Sequence, residues 1–448
     1  MGSPKLISFP LVSLFFILAT IIPAMEANAD EWDELRKYFK GERKLHKFQC
    51  HLTSTNESDL NKNKISISTI NDHYLNSTRR ELYGKKNRRG GPCMATNVID
   101  QCWRCDPNWA KKRQNMADCV KGFGSKARGG KGGKYYLVTD PSDDWQNPKP
   151  GTLRHAVIQK EPLWITFAGK MNIKLGQELI MQSDKTIDGR GASVHISGGA
   201  GITIQFVKNI IITNIHIHNI VPTSGGMIRD AVDHVGLRTH NEGDGISIFG
   251  STDIWIDHVS MSRCSDGLID AVQGSSGITI SNCHFTDHDK VLLFGASDST
   301  EVDRDMKVTV AFNHFGKRLI ERMPRCRSGF FHLVNNDYTH WEMYAIGGSH
   351  APTIISQGNR YIAPVTEKFE SLREVTHRDN APESEWSKWT WVTDGDLFQN
   401  GAKFVPSGNP NGAKLYAALE LIRPAPASQV AVLTKDAGFL RCAVGNPC

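Results

Sequence analysis

The sequence predicts an all-β protein built as a parallel β-helix, preceded by a short helical N-terminal extension. From about Lys134 onward, short β-branched runs are separated by Gly, Asn, Asp and Ser. Helical periodicity is nearly absent there, and strands this short and frequent do not fit alternating strand–helix units. Large apolar residues also end successive segments at intervals of 24, 30, 23 and 23 residues, namely Met261, Phe285, Phe315, Tyr338 and Tyr361.

A repeat in the low twenties indicates a solenoid, either a β-helix or a leucine-rich array. Leucine is sparse at the repeated positions and β-branched residues dominate, which favours the β-helix. The 30-residue interval predicts one insertion. We expect Asn282 and Asn335 to stack on equivalents in neighbouring coils, and we expect successive coils to bring Cys264 and Cys283 close enough to pair.

The start of the chain predicts a secretory signal peptide over residues 1–29. Lys5 precedes an apolar stretch, Leu11 to Ala24, and Ala27-Asn28-Ala29 forms an A-x-A cleavage site. The stretch is shorter than the roughly 20 residues that span a bilayer, so we expect a secreted protein with no membrane partner after cleavage.

Residues 30–92 differ in composition and residue pattern from the rest of the chain and are predicted to form an appended extension. Trp32, Leu35 and Phe39 fall at helical spacing, and a basic run ends in a Gly pair. Two glycosylation sequons begin at Asn56 and Asn76. The remaining residues, 93–448, are assigned to the β-helix domain.

The chain has ten cysteines, an even number, which is typical of a protein that forms disulfides in an oxidising compartment. Four of them cluster ahead of the repeats: Cys93, Cys102, Cys105 and Cys119. The Cys102–Cys105 pair has the C-x-x-C spacing of zinc or redox sites, but no second such pair follows. Structural disulfides are therefore the favoured interpretation.

An acidic cluster precedes one predicted strand and follows the next. Asp244 and Asp266 are 22 residues apart, one coil, so they would lie on the same face, with Glu242 and Asp270 close by. Carboxylates converging in this way select a hard cation, and an open face favours Ca²⁺ over Mg²⁺. The alternative, Asp-rich turns that only bend the chain, has equal standing unless the coil register holds.

A basic cluster follows one to three coils later. Lys290 is followed by four arginines within ten residues, Arg318, Arg322, Arg325 and Arg327. Beside a divalent cation, these groups would suit a carboxylate polymer, because guanidinium binds carboxylates in a bidentate manner. A solvated basic face and a heparin or nucleic-acid surface are the alternatives. No aromatic residues are interleaved with the arginines, which argues against nucleic acid.

Several long motifs resemble the plant pectate lyases of polysaccharide lyase family 1, close to pollen- and flower-expressed members. The motifs are Lys185–Gly191, Trp255–His258, Arg322–Arg327 and Trp341–Gly348. The resemblance runs from about Cys93 to the C-terminus. It implies a right-handed β-helix, and calcium-dependent β-elimination of de-esterified (1→4)-α-D-galacturonan that yields 4,5-unsaturated oligogalacturonides.

The same resemblance implies a role for each site residue. Arg322 matches the base that takes the C5 proton, and Lys290 and Arg327 match groups that hold the substrate carboxylate. The implied calcium ligands are Glu242, Asp244, Asp266 and Asp270, of which Glu242 stands where many members have Asp. The expected partner is polygalacturonate, the expected location is the cell wall, and the expected state is a monomer.

Three other functions are compatible with this fold. A polygalacturonase would need flanking carboxylates without metal, and the Gly-His-Gly and Arg-x-Lys motifs are missing. A pectin lyase acting on esterified polymer would not need the acidic cluster. A wall-binding or allergen-type relative without activity is the third alternative, although Arg322, Lys290 and Arg327 are all present.

Overall fold

The computed structural model describes residues 93–365, 370–416 and 420–448. The predicted signal peptide, residues 1–29, and the predicted extension, residues 30–92, lie outside these ranges. Within the described residues the chain winds through three parallel sheets in turn, placing one strand of each coil in each sheet. The predicted all-β parallel β-helix is confirmed.

Sheet 1 contains ten of the described strands. They are β1 (Lys134–Val138), β2 (Leu163–Phe167), β5 (Lys185–Asp188), β8 (Lys208–Thr213), β13 (Thr252–Asp257), β16 (Ser276–Ser281), β20 (Lys307–Ala311), β24 (Phe330–Val334), β27 (Thr353–Gln357) and β30 (Trp391–Asp394).

Sheet 2 contains nine of the described strands. They are β3 (Met171–Ile173), β6 (Val194–Ser197), β9 (His216–His218), β14 (Ser260–Ser262), β17 (His284–Thr286), β21 (His314–Phe315), β25 (Asp337–Thr339), β28 (Arg360–Ile362) and β31 (Leu397–Gln399).

Sheet 3 contains eight of the described strands. They are β4 (Leu179–Ile180), β7 (Ile202–Gln205), β12 (Ile246–Phe249), β15 (Ile269–Val272), β19 (Leu292–Phe294), β23 (Arg325–Arg327), β26 (Ile346–Ser349) and β29 (Thr376–Arg378). Two small pairs stand outside the coils: the antiparallel hairpin β10–β11 (Gly226–Ala231, His234–Arg238) and the parallel pair β18–β22 (His288–Lys290, Leu319–Glu321).

Helices are short throughout the described residues. The α-helices are α1 (Val98–Trp103), α2 (Leu153–Val157), α3 (Glu383–Trp386) and α4 (Val430–Leu433). The 3-10 turns are Trp109–Lys111, Arg113–Asp118, Phe123–Lys126, Glu301–Asp305, Glu370–Arg373, Gly412–Leu415 and Ala427–Gln429. In the part of the chain that is described, no helix is long and apolar enough to cross a membrane.

The large apolar residues of the repeat form a ladder inside the solenoid. Phe285, Phe315, Tyr338 and Tyr361 stack coil upon coil with ring centroids 5.2, 4.6 and 4.5 Å apart. Met261 begins this column, paired in register with Phe285. The predicted repeat is confirmed, and the 30-residue interval holds an insertion that includes the turn Glu301–Asp305.

The asparagine prediction was displaced by one residue. The stacked asparagines are Asn313, Asn336 and Asn359, whose side-chain amides bond to one another at 2.9 and 3.0 Å. Asn282 and Asn335 are corner residues with φ near +51°. At these left-handed corners the side chains bond outward, to Asn97 and to the carbonyl of Ala425 respectively.

The outer face of sheet 1 is covered by the first and last described segments. Trp103 and Trp109 pack in one apolar cluster with Trp164 and Trp255 of the sheet and with Leu433 near the C-terminus. Because this face is buried, sheet 1 cannot offer a binding surface along these strands.

Disulfides cross-link the two segments that cover sheet 1, each within itself. Cys93 is bonded to Cys105, Cys102 to Cys119, and Cys442 to Cys448, which confirms the structural interpretation of the cysteine cluster. The predicted pairing of Cys264 with Cys283 is wrong, because both are free thiols. Cys264 follows β14, whereas Cys283 precedes β17, so they occupy different corners of their coils.

A buried ion-pair network holds helix α1 against the solenoid. Asp100 contacts His258 Nε2 at 2.8 Å and Arg104 Nη1 at 2.6 Å, and His258 Nδ1 bonds the carbonyl of Gly438. Replacing Asp100 with Ala would leave the buried His258 without this carboxylate and Arg104 with Asp436 as its remaining carboxylate partner, so we expect the free energy of unfolding to fall by about 3–5 kcal/mol. Urea denaturation measures this, and a loss below about 1 kcal/mol would contradict the account.

Buried neutral histidines predict acid sensitivity. Burial lowers the pKa of His332 to about 4, although the hydrogen bond that its Nε2 donates to Gln357 Oε1 opposes this. Burial together with the charge of His314 lowers the pKa of His284 to about 4. The unfolded chain takes up these protons first, so the stabilisation is complete above pH 6.5 and is lost as the pH falls towards 4. Denaturation curves from pH 8 to 4 should show a slope of up to about 1.4 kcal/mol per pH unit for each histidine. His332→Gln should reduce that slope, and an unchanged slope would contradict the assignment.

Candidate active site

The outward side chains of sheet 3 form columns that run across the coils. In register, Ser247 of β12 lies beside Asp270 of β15, Asp270 beside Leu293 of β19, and Leu293 beside Arg325 of β23. Since strand neighbours are about 4.8 Å apart, acidic and basic residues from distant parts of the chain share one surface. The coil register that the acidic prediction required is therefore present.

Asp244 lies in the turn before β12 and is held by two donors. Its carboxylate accepts hydrogen bonds from Ser247 Oγ at 2.8 Å and from the Gly267 backbone N–H at 2.9 Å. Burial raises the pKa of Asp244 to about 6 despite these bonds, and the nearby charges of Asp266 and Glu242 add to the rise. The carboxyl groups are close enough to repel each other.

Asp266 lies in the turn before β15 and forms the link between the acidic and basic clusters. Its Oδ1 is 2.6 Å from Lys290 Nζ, and the carboxyl group of Glu242 is close enough to influence its ionisation. Burial opposes ionisation, but Lys290 outweighs it and lowers the pKa of Asp266. The Asp266 carbonyl bonds to the ring of His288 at 2.6 Å, which fixes the turn.

Asp270 points outward from β15 with an unsatisfied oxygen. Its Oδ1 is buried and has no hydrogen-bond partner. Burial raises the pKa of Asp270 well above its usual value, and Asp244 and Asp266 add to the rise. A Cβ at position 267 would lie 2.1 Å from this oxygen, so Gly267 is required for Asp270 to occupy this place.

The acidic cluster fits a hard cation in its chemistry. All side-chain donors are carboxylate oxygens, one of them is buried without a partner, and mutual repulsion leaves net negative charge to neutralise. In the described residues no three acidic, histidine or cysteine side chains are arranged to hold a metal as they stand. The reason is local: Asp266 is turned to Lys290, and Asp244 to Ser247 and Gly267.

Arg322 enters this surface from the turn that follows β22. Lys290 of β18 pairs in register with Glu321, which places Arg322 next to Lys290. The φ of Arg322 is +66°, in the left-handed region, and its Nε is buried without a hydrogen-bond partner. Burial opposes its charge, but Glu321, Tyr344 and the site aspartates outweigh burial and raise the pKa of Arg322.

Arg327 lies on the same side of β23 as Arg325, as extended backbone predicts, with Cys326 buried between them. Arg325 pairs with Asp379 at 3.1 Å. Arg327 donates from Nε to Asp298 at 3.1 Å and from Nη1 to the carbonyl of Gly295 at 2.7 Å. Burial and Arg325 lower the pKa of Arg327, although Asp298 opposes them.

The structure thus brings the seven predicted site residues onto one surface, with Lys290, Arg322 and the four acidic groups closest together and Arg327 at the edge. Sequence reasoning missed the groups that hold these side chains. They are Ser247, Asp298, Tyr344, His377 and Asp379. Tyr344 lies in the motif Trp341–Gly348, which was the one available signal; the others depend on coil register.

Comparisons with known proteins identify the family of the chain. A family model described as pectate lyase matches residues 171–394. The chain is 64% identical to a pectate lyase of Nicotiana tabacum, covering 83% of this chain and 94% of the relative. It is 53% identical to a pectate lyase of Lilium longiflorum, covering 99% and 100% respectively.

A solved structure shows that the similarity includes the three-dimensional fold. The crystal structure of Jun a 1, the major allergen from cedar pollen, superimposes with a TM-score of 0.75 at 44% identity, covering 77% of this chain and all of that one. The fold and the charged surface define a polysaccharide-cleaving enzyme of the parallel β-helix class. The chain belongs to the pectate lyase family, among its plant members.

Proposed function

We propose that the protein is a secreted, calcium-dependent pectate lyase of the cell wall, made of a signal peptide (1–29), an extension (30–92) and a catalytic β-helix domain (93–448). It cleaves de-esterified (1→4)-α-D-galacturonan by β-elimination and releases 4,5-unsaturated oligogalacturonides. One observation carries the proposal: four carboxylates meet Lys290 and Arg322 on one surface formed by sheet 3 and the turns beside it.

Electrostatic attraction would bring the substrate to the site. The substrate is a polyanion, and the site presents Lys290, Arg322 and Arg327 towards it. Glu242, Asp244, Asp266 and Asp270 would hold Ca²⁺, which when bound supplies positive charge that neutralises both these acids and the substrate carboxylate. Asp266 would then leave Lys290 free to bind a substrate carboxylate oxygen.

The chemical step is removal of a proton from C5 of a galacturonate residue. That proton is weakly acidic, because its removal places a second negative charge beside the carboxylate. Lys290 and Arg327 would hold the carboxylate and stabilise the developing charge with cations already in place. Arg322, in its neutral guanidine form, would take the C5 proton. The electron pair left on C5 would form the 4,5-double bond as the C4–O bond breaks, and the leaving oxygen would take a proton from water.

An arginine base predicts an alkaline pH optimum. The pKa of Arg322 is raised in the metal-free site, so the guanidinium is protonated at neutral pH. At any pH below that pKa, the neutral fraction that can act as a base grows about tenfold for each unit by which the pH rises. Activity should therefore rise from neutral to alkaline pH. A maximum at or below pH 7 would contradict Arg322 as the base.

The function is tested with polygalacturonate and the purified protein at alkaline pH. A β-elimination product absorbs in the ultraviolet, whereas a hydrolysis product does not. Rising absorbance that needs Ca²⁺ supports the proposal. Depolymerisation without absorbance would indicate a hydrolase, faster reaction on highly esterified pectin without Ca²⁺ would indicate a pectin lyase, and binding without turnover would indicate an inactive relative.

A further inference from the structure

An exposed aromatic pair lies on the same sheet as the site. Phe206, directly after β7, is 67% exposed, and its ring meets that of Phe249 edge to face with centroids 5.3 Å apart. The Phe206 backbone N–H bonds the Phe249 carbonyl at 2.9 Å. We call this pair the aromatic shelf. Ring surface left exposed in this way is available to a ligand.

The backbone conformation of Phe206 is unfavourable for a bulky residue. Its φ is +52°, in the left-handed region that bulky residues rarely adopt. The neighbouring strand makes room for the ring with Gly250, since a Cβ there would lie 2.6 Å from Phe206. This conformation belongs to the corner that follows each sheet 3 strand, since Gly250 and Gln273 share it in the next two coils. What distinguishes this coil is the aromatic ring that the corner carries.

The shelf is continuous with the catalytic surface. Phe249 lies two residues beyond Ser247 on β12, about 7 Å along the strand, and Ser247 is the residue that bonds Asp244. In the next coil Phe249 is in register with Val272, which is two residues beyond Asp270. A polymer that fills the site therefore reaches the shelf with a neighbouring sugar residue.

The charge around the shelf differs from that of the site. The guanidinium at this end of the sheet, Arg238, donates to Gln205 Oε1 at 2.7 Å and is paired with Glu178 at 3.0 Å. Its charge is thus already neutralised. A galacturonate carboxylate over the two rings would lose water without a free guanidinium from Arg238, whereas a methyl ester and the C–H face of the sugar ring would lose little.

We infer that the aromatic shelf, Phe206 with Phe249, is a subsite for a methyl-esterified galacturonate residue beside the free residue that is cleaved. This inference rests on the proposed function and deepens it. The protein would act on partially esterified pectin by placing an ester on the shelf and a free carboxylate at the catalytic centre.

The test compares kcat/KM on polygalacturonate and on randomly, partially methyl-esterified pectin, at saturating Ca²⁺. Phe206→Ala should lower kcat/KM on the esterified polymer about fivefold or more and change it less than about twofold on polygalacturonate. Phe206→Tyr should retain wild-type kinetics on both. Tyr135→Ala, which removes an exposed aromatic residue from β1, is the matched control and should change neither.

Equal losses on both polymers, or no loss on either, would overturn the subsite. Wild-type protein that gives no unsaturated product from polygalacturonate would instead overturn the proposed function, so the two failures are distinguishable. Thermal unfolding of each variant checks the fold.

Discussion

Arg322→Ala is expected to lower kcat on polygalacturonate by about a thousandfold or more, with a smaller effect on KM. The substitution removes the only group assigned to take the C5 proton, and positioned bases contribute about 10²–10⁴ to such rates. It also removes a cation that faces Asp270 and Asp266. Initial rates of ultraviolet absorbance at saturating Ca²⁺ measure the effect.

Arg318→Ala is the matched control for that experiment. Arg318 belongs to the same arginine cluster and also has a positive φ, but it is about half exposed and paired with Asp287. Its loss should change kcat less than about twofold, because surface ion pairs contribute little. If Arg322→Ala kept more than a tenth of wild-type kcat, another group would have to be the base.

Asp270→Asn is expected to have opposite effects on the stability of the folded protein in the absence and in the presence of Ca²⁺. In the metal-free protein at neutral pH it removes a buried, unpaired carboxylate that faces Asp244 and Asp266. We therefore expect the metal-free variant to have a larger free energy of unfolding than the wild type at neutral pH. With Ca²⁺, the variant should lose most of the metal-induced rise in Tm, and a chelator should abolish wild-type activity.

Calorimetric Ca²⁺ titration and thermal unfolding measure both effects without relying on turnover. Asp253→Asn is the control, because Asp253 is the second residue of sheet 1 strand β13, away from the site, and its φ of +58° also accommodates Asn. Wild-type Ca²⁺ affinity retained in Asp270→Asn would remove Asp270 from the ligand set.

Much of the fold could be predicted because the solenoid repeats a simple requirement. Each coil needs one large residue at the same inner position, so the spacing from Met261 to Tyr361 was visible in the sequence and matches the stacked column. The asparagine ladder was displaced because Asn335 and Asn336 are adjacent, and only backbone conformation decides which one turns inward.

The site was predictable to the extent that its residues lie in long motifs or one coil apart. Asp244 and Asp266 met this condition. Asp298 did not, because it comes from the insertion and reaches Arg327 only through the folded register. Phe206 gave no signal either, since its significance lies in an exposed ring and a positive φ, neither of which a sequence pattern reveals.

The most direct test is a crystal structure of Arg322→Ala with Ca²⁺ and a galacturonate oligomer, with the metal located by anomalous scattering. The account predicts Ca²⁺ among Glu242, Asp244, Asp266 and Asp270, with Lys290 on a substrate carboxylate and the C5 hydrogen facing the space left by Arg322. A cation bound elsewhere, or an oligomer whose C5 faces away from position 322, would contradict it.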